Sequence, residues 1–135
     1  MGTRALTKMI HLDIYRDGDS RRHTAKKILV NIFQEFDGDV KTQGKILEKF
    51  LQNIDKSQYA GCLAADLVVY FKKEIGDFFL VPIDENDFWM DYKYDVKVGK
   101  GNHITIDIYD VKKQTFVFSG TIDELSKFLN KKFKK

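Results

Sequence analysis

The stretch FWMDYKYDVKVGKGNHITIDIYDV, residues 88–111, decides the fold, because apolar and polar side chains alternate along it. A period of two is typical of a β-strand with one buried face. The turn sequence GKGN at 99–102 separates two such runs, so the stretch predicts an antiparallel hairpin. The second half of the chain is therefore predicted to be mainly β-sheet.

Three further stretches carry shorter strand patterns. Residues 5–15 alternate in the same way and predict a first strand, which the turn sequence RDGDS at 16–20 ends. The stretches FFLVP at 78–82 and TFVFSG at 115–120 predict two short strands on either side of the hairpin.

Apolar residues at helical spacing predict four helices. The first is predicted over 25–36, from the stripe Ala25, Ile28, Leu29, Ile32, Phe33 and Phe36. Two more are predicted at about 42–54 and 57–73, and the T-x-x-E capping box at 121–124 begins the fourth. The helix at 57–73 is apolar nearly all round, so we expect it between two layers with Cys62 buried.

The predicted order of elements is β-α-α-α-β-β-β-β-α. This order indicates an α+β fold with a mostly antiparallel sheet of about four to five strands and helices packed on one face. We expect residues 1–135 to form a single domain that ends in a short basic tail at about 130–135. The absence of βαβ alternation argues against a doubly wound nucleotide-binding fold.

Charge and composition restrict the class of protein. The net charge is +3, but the final KKFKK carries four lysines, so the rest of the chain is close to neutral. This balance argues against a protein that coats duplex DNA and leaves room for local basic patches. The sequence has no apolar run long enough for a membrane span, and its single cysteine indicates a reducing compartment. We expect a cytoplasmic protein, in the host cytosol, that does not bind membranes.

Six stretches that together cover nearly the whole chain carry a family resemblance: MGTRAL, YRDGD, LAADLVVYFK, IGDFFLVPIDEND, DYKYDVKV and IYDVKKQTFVFSGTIDELSKFL. On these stretches the chain resembles small bacterial and phage proteins that begin Met-Gly-Thr-Arg, an uncharacterised family. The family usually has Asp-Gly-Tyr-Pro where this chain has Asp19 followed by Ser20, Arg21 and Arg22. The resemblance implies a phage or mobile-element context, in which small folds often serve in counter-defence.

Basic residues crowd the beginning of the predicted helix at 25–36. The cluster consists of Arg16, Arg21, Arg22, His23, Lys26 and Lys27. The N-terminus of a helix carries about half a positive charge, so the cluster repels itself unless an anion is bound. We predict an anion-, phosphate- or partner-binding site here, for nucleic acid, a nucleotide or an acidic protein patch. In the alternative, Asp17, Asp19 and other acids neutralise the cluster.

A second candidate site lies on the strand that ends at Val98. Four residues of this segment are predicted to form a partner interface: Asp87, Trp89, Asp91 and Asp95. An exposed tryptophan among polar residues is typical of an interface anchor. In the alternative, Trp89 packs under a loop and the acids pair with neighbouring lysines. The acids lack the spacing of a calcium loop, and we expect no metal site.

We favour a non-catalytic binding protein over an enzyme, because no catalytic motif is present. The specific hypothesis is a phage or mobile-element counter-defence inhibitor, anti-CRISPR-like, that occupies a protein or nucleic-acid surface on a host machine. Its expected partner is a host protein or ribonucleoprotein complex, with no cofactor, and a homodimer is a further alternative. The alternative function is a nucleotide-binding, sequestering or phosphodiesterase-like protein that uses the basic helix N-terminus, with Asp19 orienting His23.

Overall fold

The computed structural model describes residues 2–55, 58–85 and 90–133. The strands are β1 (Ala5–Arg16), β2 (Arg22–Gln34), β3 (Phe79–Leu80), β4 (Tyr92–Val98), β5 (Ile104–Asp110) and β6 (Thr115–Thr121), and the helices are α1 (Val40–Gln52), α2 (Ala60–Glu74) and α3 (Ile122–Lys132).

The strands in the described ranges form one six-stranded sheet in the order β3-β2-β1-β4-β5-β6. Neighbouring strands are antiparallel except for β1 and β4, which are parallel. The predicted α+β class and mostly antiparallel sheet are therefore confirmed, with more strands than expected. The predicted hairpin is confirmed as β4 and β5, and the glycine at 101 in its turn has a φ of 68°.

The helices cover one face of the sheet, as predicted. Tyr94, Val96 and Ile106 on this helix-side face are fully buried and belong to the same apolar cluster as Leu47 and Phe71 of the helices. The opposite face, which we call the open face, is covered only in part. There Leu6 and Phe33 pack with residues at 81, 90 and 111 in a second, small cluster.

The predicted helix at 25–36 is wrong, because Arg22–Gln34 forms strand β2. β-Branched residues at 24, 28, 30 and 32 favour an extended chain that pairs with β1. A β-bulge at Leu29, where Met9 pairs with Val30 and Ile10 with Ile28, brings two adjacent apolar residues into the strand. This interruption of the period of two produced the spacing that imitates a helical stripe.

Buried polar contacts fix α1 against the sheet. The Tyr94 hydroxyl donates a hydrogen bond to the Gly38 carbonyl at 2.7 Å, just before the helix. The side-chain amide of Gln43 donates to the Thr7 hydroxyl of β1 at 3.0 Å. Asp39 caps the helix, because its side chain accepts a hydrogen bond from the backbone N–H of Thr42, the third residue of α1. These contacts hold the beginning of α1 next to β1 and β4.

Helix α2 is buried on one face only, whereas the sequence predicted a helix between two layers. Its buried residues are Leu63, Ala64, Leu67 and Phe71, which form a single stripe. Cys62 is exposed, so the expected burial of the thiol is wrong, and a valine at 69 is 68% exposed. The helix therefore packs on the sheet with one face and does not lie between two layers.

Helix α3 begins as predicted, with both hydrogen bonds of the capping box between Thr121 and Glu124 present. It continues to Lys132 and so includes the first residues of the predicted tail at about 130–135, the last two of which lie outside the described residues. No helix in the described ranges is long and apolar enough to cross a membrane.

Candidate functional site

Strands β1 and β2 continue beyond the end of the sheet as a two-stranded ribbon. β4 pairs with β1 only as far as Val98 opposite His11, and β3 pairs with β2 only at Ile32 and Phe33. Residues 12–26 therefore form strand pairs only with one another, Lys27 pairs with His11, and no residue of the segment 12–27 is buried. We call this segment the arm. Five extended residues on each side give it a length of about 17 Å.

A single carboxylate organises the tip of the arm. Oδ1 of Asp17 accepts hydrogen bonds from the backbone N–H groups of Asp19 at 2.9 Å and of Arg21 at 3.0 Å. Oδ2 of Asp17 lies 2.6 Å from Nε2 of His23. Ser20, with a φ of 60°, donates its backbone N–H to the Asp17 carbonyl at 3.0 Å. Both oxygens of this acid are therefore engaged within the turn itself.

Two arginines face each other across the arm. Arg16 and Arg22 are direct cross-strand neighbours, and both are exposed. Nη1 of Arg16 donates a hydrogen bond to the Ser20 carbonyl at 2.9 Å. Like charges directly opposite each other in a sheet are destabilising, by up to about 1 kcal/mol. The register thus holds two guanidinium groups next to each other, although their repulsion destabilises the folded protein.

The positive charge of the arm is not balanced by ion pairs. The arm contains five Lys and Arg residues and three Asp residues. Among the described residues, no carboxylate lies within ion-pair distance of Arg21, Arg22, Lys26 or Lys27. Because Asp17 is engaged with the turn and with a histidine, it leaves the nearby guanidinium groups without an acidic partner.

The predicted helix N-terminus is absent from this region, so the helix dipole plays no part in the site. The six predicted basic residues nevertheless lie on one projecting element, in the two strands and the turn of the arm. Asp17, and not Asp19 as expected, contacts the imidazole of His23. The cluster lies on an exposed ribbon, whereas a nucleotide or a reacting phosphate needs a concave site that excludes water.

Basic side chains project from both faces of the arm. Partners in the register share a face, so Arg16, Arg22 and Lys26 lie on the continuation of the open face. His23 and Lys27 lie on the other side, where the His23 ring stacks on Tyr15 with 5.2 Å between ring centroids. Arg21 occupies the turn between the strands.

The tip of the arm is expected to loosen in acid. Hydrogen bonding to His23, and then to the backbone of Arg21, lowers the pKa of Asp17 from its ordinary value of 3.8. Because the folded pKa is the lower one, this stabilisation is complete above 3.8 and is lost as the pH falls through the folded pKa. In an NMR pH titration, the amide protons of Asp19 and Arg21 should therefore shift together below pH 3.8.

The control for this titration is the amide of Leu63, which is buried on α2, has no carboxylate next to it in the sequence and should not follow Asp17. A shared midpoint for Asp19 and Arg21 at or above the ordinary value of 3.8 would contradict the hydrogen-bonded role of the carboxylate.

The second predicted site is divided between separate places. Asp87 and Trp89 lie outside the described residues. Asp91 precedes Tyr92, which pairs with Ala5 at the end of β1 opposite to the arm. Asp95 lies in the middle of the open face, next to a lysine of β1. Asp91 thus lies at the end of the sheet far from the basic cluster, whereas Asp95 lies on the face that the arm continues.

A row of polar residues crosses the open face. Strands β2, β1, β4, β5 and β6 contribute one residue each, in that order: Asn31, Lys8, Asp95, Asp107 and Ser119. Nζ of Lys97 lies 2.6 Å from Oδ2 of Asp107, and the Ser119 hydroxyl donates to Oδ1 at 2.6 Å. Burial acts to raise the pKa of Asp107, but these two contacts hold it below its ordinary value. Burial raises the pKa of Asp95, while Lys8 opposes the shift. The charge of Asp107 is thus compensated by its neighbours, whereas for Asp95 the effect of burial outweighs that of Lys8.

A cavity of about 810 Å³ lies at the end of the sheet opposite to the arm, lined in part by Arg4, Asp91, Tyr92, Lys112 and Lys113. Asp91 accepts a hydrogen bond from the Arg4 backbone N–H at 3.0 Å and lies 3.3 Å from Nζ of Lys112. These contacts, the first more than the second, lower the pKa of Asp91. Asp91 therefore ties the N-terminal segment to the β5–β6 turn.

Sequence reasoning missed two residues that shape the site, Asp17 as the organiser of the tip and Tyr15 as the stacking partner of His23. The RDGDS turn was a signal for the first, but the second depends on the cross-strand register. Within the described ranges, no group of three or more His, Cys, Asp or Glu side chains is placed to hold a metal ion. No protein-family model, curated protein or solved structure was found to match the chain.

Proposed function

We propose that the protein is a non-catalytic binding protein and that the arm is its contact surface for an anionic macromolecular partner. The observation that carries this proposal is the exposed cross-strand pair of Arg16 and Arg22, which has no acidic partner among the described residues. Guanidinium groups in such a pair present several donors to phosphate or carboxylate groups. An anion between them would relieve their repulsion.

The position of the arm supports the same function. Its residues contribute no buried side chain, so the ribbon is not needed to complete the core. An isolated two-stranded hairpin is marginal in water, but this one continues two strands of the sheet and is closed by Asp17. The domain therefore provides a rigid base for an exposed charged element, which is the arrangement that a contact surface requires.

The biological role that we propose is that of a phage or mobile-element inhibitor in counter-defence, anti-CRISPR-like, in the host cytosol. It would act by occupying an anionic surface of a host protein or ribonucleoprotein complex. The family resemblance of the sequence supports this context, and the charge of the arm supports the mode of contact. The helix N-terminus on which nucleotide sequestration rested is not formed, so no observation favours that alternative.

The test is a double variant in which Arg16→Gln and Arg22→Gln remove the cross-strand pair. We expect its affinity for fluorescein-labelled heparin, a general polyanion probe, to fall by about 10- to 100-fold in fluorescence anisotropy at moderate salt. The fall is expected because each lost cation forfeits the release of about one counterion. Stability should change little, because the relief of the repulsion is offset by the loss of the hydrogen bond from Arg16 to the Ser20 carbonyl.

The matched control replaces Lys45 and Lys49 with glutamine, because both lysines are exposed on α1 and the change in net charge is the same. This variant should bind heparin within about threefold of the wild type, as expected for cations outside the contact. Equal losses in the two double variants would mean that only net charge matters, and the proposed role of the arm would have to be abandoned.

A further inference from the structure

The surplus of positive charge on the arm is concentrated on one face. The register places Arg16, Arg22 and Lys26 on the continuation of the open face, and neither strand of the arm adds an acidic residue there. The other face holds Asp13 and is reached by the carboxylate of Asp17, so its charges nearly cancel. An anionic partner is therefore expected to meet the arm from the side of the open face.

An apolar row runs along β1 on the same face. It consists of Ile10, Leu12 and Ile14, at every second position of the strand. Ile10 is buried and Leu12 is half-buried, but Ile14 is 44% exposed, so the row loses its cover where the strand leaves the sheet. An apolar surface that is exposed and bordered by polar residues is typical of a protein-binding site.

A groove of about 440 Å³ adds further apolar surface at the base of the arm. Ile28 pairs with Ile10 across the strands, and Ile83, beyond the edge of β2, is 53% exposed. Asp84 is the one acidic residue of the lining. The groove thus combines apolar and basic side chains, as the face of the arm does, and its lining consists of Lys26, Lys27, Ile28, Leu29, Ile83 and Asp84.

We infer that this face of the arm binds an acidic, amphipathic α-helix of a protein partner. This inference rests on the proposed function, since it names the partner of the same surface. Protein interfaces commonly have an apolar centre and a polar rim, and here cations of the tip and of β2 border the apolar row. Carboxylates along the flanks of the helix would pair with these cations while its apolar stripe covers the row.

The dimensions of the face agree with those of one helix. Paired strands lie about 4.8 Å apart, and a helix with its side chains is about 10 Å wide, so one helix covers both strands of the ribbon. From Ile10 to Arg16 the strand extends about 20 Å, which is the length of a helix of about 14 residues.

The apolar row favours a protein over other anionic macromolecules. The phosphates on the outside of a nucleic acid offer no apolar surface to Leu12 and Ile14. The tip of the arm would be the first part to enter a bilayer, but residues 16–22 have the sequence RDGDSRR, which includes no apolar side chain. An amphipathic helix provides carboxylates and an apolar stripe together.

The probe for the test is a labelled, stapled peptide helix of about 15 residues, built from leucine, glutamate and alanine. Its leucines form one face, and its glutamates lie along the flanks of that face. A scrambled peptide with the same composition and staple has its leucines on all sides. In fluorescence anisotropy we expect the amphipathic helix to bind at least about tenfold more tightly than the scrambled one at equal salt.

The variant Ile14→Thr keeps a β-branched residue in the strand and removes apolar surface from the face. It should lower the affinity for the amphipathic helix by about 5- to 10-fold. Its affinity for heparin should stay within about twofold of the wild type, which also shows that the arm is intact. R16Q/R22Q should weaken the binding of both probes. The matched control is Val69→Thr, at an exposed position of α2, which should affect neither.

Equal or undetectable binding of the two peptides, or equal losses in I14T and V69T, would overturn the helix inference. The proposed function would still stand if R16Q/R22Q weakens heparin binding. The same proteins are also titrated with a DNA duplex and with phosphatidylserine vesicles. If I14T weakens the binding of either of these but not that of the amphipathic helix, the partner is not a protein helix. If R16Q/R22Q binds the helix and heparin like the wild type, both proposals fail.

Discussion

Replacing Phe71 with alanine is expected to destabilise the protein by about 3 to 5 kcal/mol. The side chain is fully buried, and its ring meets that of Phe78 edge-on with 6.3 Å between centroids. Its removal leaves a cavity between α2 and the sheet that the surrounding backbone fills only in part. Since the total stability of a domain is about 5 to 15 kcal/mol, the loss should be visible in urea or guanidinium unfolding.

The matched control is Val69→Ala on the same helix, where the valine is 68% exposed. This change should alter the free energy of unfolding by less than about 0.5 kcal/mol, and alanine's higher helix propensity favours a small gain. The comparison tests whether α2 buries a single stripe. Losses of similar size in the two variants would support the sequence-based expectation of a helix enclosed between layers and would contradict the fold described here.

Removing the arm is expected to abolish polyanion binding and leave the domain folded. In the shortened chain, an Asn-Gly turn replaces residues 13–25. The turn joins Leu12 of β1 to Lys26 of β2, and these two residues are cross-strand partners. No removed residue is buried, and the removed segment pairs only within itself. The free energy of unfolding should therefore change by about 1 kcal/mol or less.

The expected loss of heparin affinity is more than about 100-fold, because three arginines and the ordered tip leave together. A triple variant, R16Q/R21Q/R22Q, keeps the ribbon and serves as the control for its shape. It should lose nearly as much affinity as the shortened chain. Circular dichroism shows whether the shortened chain is folded. If it is folded and still binds heparin like the wild type, the arm is not the binding surface.

The sheet and most helices follow from local patterns in the sequence. Strict alternation over 92–98 and 104–110 defines both strands of the β4–β5 hairpin without reference to the rest of the chain. The capping box at 121–124 likewise defines the start of α3 from four residues. Such elements are predictable because neighbouring residues alone favour them.

The segment 22–34 was not predictable in this way. Its apolar residues satisfy helical spacing, and only the pairing with β1 and the bulge at Leu29 make it a strand. The residues of β1 that pair on either side of the bulge are about 20 positions away in the sequence. The pairing with β1 therefore overrides the helical period that the local sequence indicates. The exposure of Cys62 has a similar cause, since the number of layers on α2 depends on the whole fold.

The candidate site shows the same division between local and long-range information. The six basic residues were visible as a cluster in the sequence, but the reason that they repel each other was not. The repulsion comes from the register that places Arg16 opposite Arg22 and not from a helix dipole. The engagement of Asp17 with the turn and His23 also depends on that register, which closes the tip over five residues.

The most direct measurement is a map of backbone amide shifts by NMR as the heparin probe is added to the unmodified protein. We predict that the shifted amides lie within 12–27, with the largest changes near Arg16, Arg21 and Arg22. Shifts concentrated instead around Arg4 and Lys112, at the opposite end of the sheet, would contradict the claim that the arm is the binding surface.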